Sequence, residues 1–126
     1  MSYKLSDTSK ARLIDVDPRL TAIIDLALTI SLTDFGVASG RRSAQEQKEL
    51  YIAGASNCDG YKVLSKHQSG RAVDLYAYEH KALWTKEDLS LVACAMLESA
   101  AALGHPLKWG GKWRGFPDYP HFELEV

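Results

Sequence analysis

The sequence predicts an α+β domain, a small single unit with helices packed on a mostly antiparallel sheet. Three observations carry that expectation. Apolar residues recur at helical spacing in two stretches, Leu20-Ile23-Ile24-Ala27-Leu28 and Leu89-Val92-Ala93-Met96-Leu97-Ala100. Residues 72–78 alternate and are rich in aromatic and branched side chains, the pattern of a strand. The last twenty or so residues hold two short strand candidates around a turn-rich segment. With 126 residues and no repeat, low-complexity tract or linker, the chain reads as one domain over 1–126. Its 15 basic and 16 acidic side chains sum to −1, so nothing in the overall charge suits a nucleic-acid backbone.

Each element has a local signal. The first predicted helix starts near Pro18, a residue favoured in a first turn. Residues 35–39 read as a short strand ending at Gly40. Ser43 with Glu46 forms an S-x-x-E capping box that opens a second helix through Leu50 and Tyr51 to a stop at Gly54. A loop rich in Ser, Asn, Asp and Gly precedes the strand at 72–78. Thr85 with Asp88 opens the third helix, which ends at Gly104. Strand candidates at 107–109 and 121–124 flank the turn-rich Gly110-Gly111-Lys112-Trp113-Arg114-Gly115-Phe116-Pro117. Trp109 and Phe116 are expected in the core, with Trp113 or Tyr119 walling a groove.

The N-terminal residues carry no apolar core of the kind a secretory signal needs, and residues 22–30 are too short and too polar to span a bilayer. The expectation is a protein made in the cytoplasm, without a signal peptide and without membrane insertion. Cys58 and Cys94 have no metal-ligand spacing. Cys94 reads as core and Cys58 as a loop thiol, and a cytoplasmic origin argues against a disulfide between them.

Chemistry concentrates around two of the four histidines. His67 and Asp74 stand seven positions apart, about 23 Å if extended, so they share a ligand only if the chain doubles back. Gly70 supplies the permissive residue for that turn. Asp74 falls among Ala72, Val73 and Leu75, where an unpaired carboxylate is costly and a metal ion would stabilise it. The plain alternative sets Asp74 on the solvent face of an edge strand. In Asp118-Tyr119-Pro120-His121, Pro120 breaks helix and biases Tyr119 toward extended backbone, so Asp118 and His121 flank a tight turn and can face one cavity. Two imidazoles and a carboxylate with a fourth position open to water make a catalytic zinc set. Asp118 has the spacing for a general base, its alternative being an ordinary turn-forming aspartate.

These residues resemble a known family. Ser65-x-His67-x-x-Gly70-x-Ala72-x-Asp74 matches the S-x-H-x-x-G-x-A-x-D signature of the zinc peptidases that cut bacterial cell-wall peptides. That family includes D-alanyl-D-alanine carboxypeptidases and dipeptidases and the L-alanyl-D-glutamate endopeptidases that bacteriophages use as endolysins. Ser39-Gly40-Arg41-Arg42-Ser43 with Glu46-Gln47 and Leu50-Tyr51 resembles its G-x-R-[ST] … E-Q … L-Y segment, and Trp109-Gly110-Gly111 and Asp118-x-x-His121-Phe122-Glu123 match its closing block. An aspartate at 118 rather than a glutamate is more like the endolysin branch.

The resemblance implies one Zn2+ per chain on His67, Asp74 and His121, at the edge of the sheet. It implies Asp118 as base and Arg42 as the oxyanion partner, with Arg41 as its rival. Ser65 and Gln47 would contact the peptide or orient a ligand, against the alternatives of loop capping and helix surface. Glu123 would hydrogen-bond a ligand histidine or point outward, and His80 and His105 match no ligand position. The expected substrate is the peptidoglycan stem peptide, cut at L-alanyl-D-glutamate by a monomer. The enzyme would accumulate in the host cytoplasm and reach the wall after release through a membrane lesion, lysing the cell. The alternatives are a D-alanyl-D-alanine carboxypeptidase and a catalytically silent zinc module, since hedgehog signalling domains resemble this fold.

Overall fold

The computed structural model describes residues 2–125. In chain order the elements are α1 (Asp7–Arg12), α2 (Pro18–Ile30), β1 (Asp34–Ser39), α3 (Ala44–Ile52), a 3-10 turn (Lys66–Ser69) and β2 (Ala72–Tyr78). They continue with β3 (Ala82–Leu83), α4 (Lys86–Leu103), β4 (Leu107–Trp109), a second 3-10 turn (Gly110–Lys112) and β5 (His121–Leu124). The sheet runs β1-β2-β5-β4 with β3 beside one end of β2, and each pairing is antiparallel. The α+β expectation holds, and the bounds of β2, β4 and β5 fall where the sequence placed them.

One face of the sheet carries the core. Val73, Leu75 and Ala77 of β2 and Phe122 and Leu124 of β5 are fully buried against Leu20, Ile23 and Ile24 of α2 and Val92 and Met96 of α4. Each large side chain removed from water in this way contributes about 1.5–3 kcal/mol. The alternate residues of β2 and β5, Asp74, His121 and Glu123, therefore project from the opposite face, where loops and α3 enclose them.

Two apolar expectations fail. Cys94 is exposed, because on α4 it shares the outer stripe with Leu91 and Glu98 while Val92, Ala93, Ala95 and Met96 take the inner one. Phe116 is 77% exposed. It lies in a loop without a strand partner, and the core position is filled by Trp109, which stacks on Phe122.

The helix α1 carries no apolar stripe and was not anticipated. It protects the free edge of β1: Ser9 Oγ accepts from Val37 N at 2.9 Å and Arg12 Nη1 donates to Val37 O at 2.8 Å. Register slips just beyond, between Val37 and Ser39, and that bulge directs the chain toward Arg42.

Asp17 caps α2, with Oδ1 accepting from Arg19 N at 2.9 Å, while its backbone N–H donates to Gly70 O at 2.8 Å. Hydrogen bonds from the Arg19 side chain hold the Asp17 carboxyl down to about 2 from the ordinary 3.8. A depressed carboxylate stabilises the fold above its ordinary pKa, and that stabilisation is lost as pH falls through the folded value. Asp17→Ala is expected to lower unfolding free energy by about 1 kcal/mol at neutral pH. In urea titrations, the gap from the unaltered chain should narrow as pH falls from 3.8 toward 2; a gap independent of pH would show that the carboxylate charge contributes nothing.

Candidate metal centre

Two local devices bring distant residues together. Ser65 caps the first 3-10 turn, accepting from His67 N at 3.3 Å, and Gly70 closes it at φ 73°. A Cβ at Gly70 would also stand 2.4 Å from the Asp15 carbonyl, so two demands converge on glycine there. The chain doubles back as the sequence anticipated, and β2 then delivers Asp74. His121 begins β5 as the cross-strand partner of Asp74, which also faces Ser39 of β1. β2 and β5 are the two central strands, so the cluster lies at the middle of the sheet and not at its edge. The edge-strand alternative for Asp74 falls with it.

His67, Asp74 and His121 each offer one ligand atom, and those atoms lie within 4.8 Å of one another. His67 Nδ1 donates to the Gly40 carbonyl at 2.9 Å, which turns Nε2 toward the centre. His121 has the opposite arrangement: Nε2–H donates to Glu123 Oε1 at 2.8 Å and leaves Nδ1 inward. Each inward nitrogen stands 3.4 Å from the same atom, Asp74 Oδ1. That oxygen is buried and has no hydrogen-bond partner. A buried carboxylate oxygen without a partner is costly, and a cation among these three atoms removes the cost. The donor set of two imidazoles and one carboxylate is one that divalent zinc accepts. Burial works to raise the Asp74 carboxyl, but the two facing histidines outweigh it and hold it well below the usual carboxylate range.

The other oxygen of Asp74 is held by Arg42. Arg42 Nη2 donates to Asp74 Oδ2 at 2.8 Å, Nη1 to Gln47 Oε1 at 3.2 Å and Nε to Ser39 Oγ at 3.2 Å. Its backbone N–H donates to the His67 carbonyl at 3.0 Å, which ties it to the ligand turn. Arg41 points elsewhere, to Gln68 O at 3.3 Å and Asp15 at 3.9 Å. Of the two arginines, Arg42 and not Arg41 contacts the cluster. Gln47 is fully buried in α3, not on its surface, and its amide donates to Ser56 Oγ and Cys58 O. No apolar periodicity marks that burial. The capping box of α3 is present as read.

Around this cluster lies a cleft of about 610 Å³, onto which Arg42, Ser65, Asp118, Trp113 and Phe116 also open. Asp118 is set by its backbone: its N–H donates to Gly110 O at 2.9 Å and its carbonyl accepts from His121 N at 3.2 Å. A Cβ at Gly110 would stand 2.4 Å from the Asp118 carbonyl, so the glycine permits this approach. Trp109 Nε1 donates to Tyr119 O at 2.7 Å and fixes the same turn. Burial, and then the charge of Asp74, hold the Asp118 carboxyl above its ordinary value. Trp113 leans on His121 with ring centroids 5.0 Å apart. His80 and His105 are not members of the cluster.

A carboxylate raised by burial stands in an open cleft beside three residues that could hold a metal ion, an arrangement suited to a small α+β hydrolase domain. The chain belongs to the phage L-alanyl-D-glutamate peptidase family, whose sequence model matches residues 1–125. It is 31% identical to the L-alanyl-D-glutamate peptidase of Escherichia phage T5, over 99% of this chain and 91% of that protein. It is 30% identical to the peptidoglycan L-alanyl-D-glutamate endopeptidase CwlK of Bacillus subtilis (strain 168), over 72% of this chain and 60% of that protein. Among solved structures it resembles the Serratia marcescens L-Ala D-Glu endopeptidase ChiX. The TM-score is 0.85 and the identity 34%, covering 96% of this chain and 90% of ChiX.

Proposed function

We propose that this protein hydrolyses the L-alanyl-D-glutamate bond of peptidoglycan stem peptides, with one zinc ion held by His67 Nε2, Asp74 Oδ1 and His121 Nδ1. The observation that carries the reading is the convergence of two inward imidazole nitrogens on one unpartnered carboxylate oxygen. The relatives' shared bond specificity supplies the substrate. When bound, zinc supplies Lewis acidity, which lowers the pKa of water and polarises a peptide carbonyl. Asp118 takes the proton from the attacking water and returns it to the leaving amine. Its raised pKa makes it a stronger base toward the attacking water, and the leaving amine is more basic still, so the proton can pass on to it.

Arg42 places Asp74 and lends positive charge beside the carbonyl oxygen that becomes negative. Three of its five N–H groups hold Asp74, Gln47 and Ser39, and the remainder are available to substrate. Gln47 acts through Arg42, since its buried amide is already bonded within the protein. Ser65 acts on the His67 turn and also borders the cleft. The setting is lysis of a bacterial host, with the enzyme a monomer that leaves the cytoplasm through a membrane lesion. In support, a T5 phage protein is among the relatives, and no helix among the described residues is long and apolar enough to cross a membrane.

Mass spectrometry of digested peptidoglycan tests the bond assignment. New fragments ending in an L-alanine carboxyl are expected. Loss of terminal D-alanine, with the L-alanyl-D-glutamate link intact, would overturn the assignment in favour of a carboxypeptidase.

A further inference from the structure

We propose that Lys66 is a positioning residue for the metal centre, acting through Glu123 on His121 and joining the two histidine-bearing segments into one frame. This rests on the zinc reading above. Lys66 is the neighbour of His67 on the 3-10 turn, yet its ammonium reaches across to β5. Nζ donates to the Leu124 carbonyl at 2.6 Å and pairs with Glu123 Oε2 at 3.0 Å. The other carboxylate oxygen of Glu123 accepts from His121 Nε2 at 2.8 Å. One chain of contacts therefore runs from the backbone beside one ligand to the ring of another.

The chemistry of each link explains the need for the next. His121 presents Nδ1 to the centre only while Nε2 carries the proton, and the Glu123 carboxylate fixes that tautomer. Glu123 is a largely buried anion, with 15% of its side chain exposed. A half-paired anion of this kind would rotate toward solvent and release His121. Lys66 removes that option by holding Oε2, and its bond to Leu124 O holds β5 at a fixed distance from the His67 turn. Two backbone bonds make the same connection, Arg71 N to Lys66 O at 3.0 Å and Leu124 N to Arg71 O at 2.9 Å. The frame is thus rigid where the imidazoles must be.

Arg42 does the corresponding work on Asp74, and the Gly40 carbonyl on His67. All three ligand side chains then have an outer partner. Lys66 is the member that no ligand signature contains, because it occupies the unspecified position between Ser65 and His67.

The test is zinc affinity of the intact protein, measured by competition with a chromophoric chelator. Lys66→Met should bind zinc about 10–100-fold more weakly, the range for loss of an outer partner of a metal ligand. Lys66→Arg, which keeps the charge and two donors, should recover most of that loss. In a Glu123→Gln background, Lys66→Met should weaken binding little further, since the two residues act in series. Lys66→Met with unchanged affinity, or a loss fully additive with Glu123→Gln, would overturn the proposal. If Lys66→Met does not fold, Glu123→Gln alone carries the same expectation, and unchanged affinity there overturns it equally. An unaltered chain that takes up no zinc would instead refute the metal reading itself.

Discussion

Asp118→Ala is expected to reduce hydrolysis of wall peptides by roughly 10²–10⁴-fold, the usual contribution of a positioned acid–base group, while one zinc per chain remains bound. The separation follows from geometry. The side chain of Asp118 is not among the atoms that converge on Asp74 Oδ1, whereas its backbone bonds to Gly110 and His121 survive the substitution. The turn is held besides by Trp109 on the Tyr119 carbonyl. Alanine therefore removes the carboxylate and leaves the ligand where it is. The measurements are turnover of purified peptidoglycan and metal content of the same preparation. Retained hydrolysis would show that another group handles the proton. Loss of zinc together with activity would show that Asp118 is a ligand or a structural support instead.

The elements that could be read from sequence are those whose signal is local. The stripe of α2, the capping box at Ser43 and the alternation of β2 each declare themselves within a few residues, and all three appear as anticipated. The juxtaposition of His67, Asp74 and His121 is legible for a related reason: the motif spacing encodes a turn at Gly70 and a turn at Pro120. What escaped is set by partners distant in sequence. The helix α1 is polar along its length, and only the edge of β1 gives Ser9 and Arg12 a purpose. The burial of Gln47 depends on Arg42 reaching Asp74, a contact spanning 32 positions. The central position of the cluster depends on β5 entering the sheet between β2 and β4, and no local pattern announces strand order. Cys94 differs in kind: the helical period of α4 is plain in the sequence, but the stripe a small residue joins is decided by packing.

His67→Ala should remove zinc and activity together while leaving the fold in place. His67 is 2% exposed, yet its ring serves the polar face of the sheet: Nδ1 is bonded to the Gly40 carbonyl, and the ring meets His121 edge-on at 5.2 Å. The apolar layer of Val73, Leu75 and Phe122 lies on the other face and loses nothing directly. The local cost is the Gly40 carbonyl left without its partner, about 1–3 kcal/mol, which a domain of ordinary stability survives. The metal has less margin. Two ligand atoms and open cleft remain where three converged, and alanine offers no replacement donor. Elemental analysis after dialysis should find well under one zinc per chain, with hydrolysis at background and a native far-ultraviolet circular dichroism spectrum. A full zinc complement would refute the ligand role of His67. Recovery of zinc and activity on adding free imidazole, which can enter from the cleft to the vacated position, would localise the defect to the missing nitrogen.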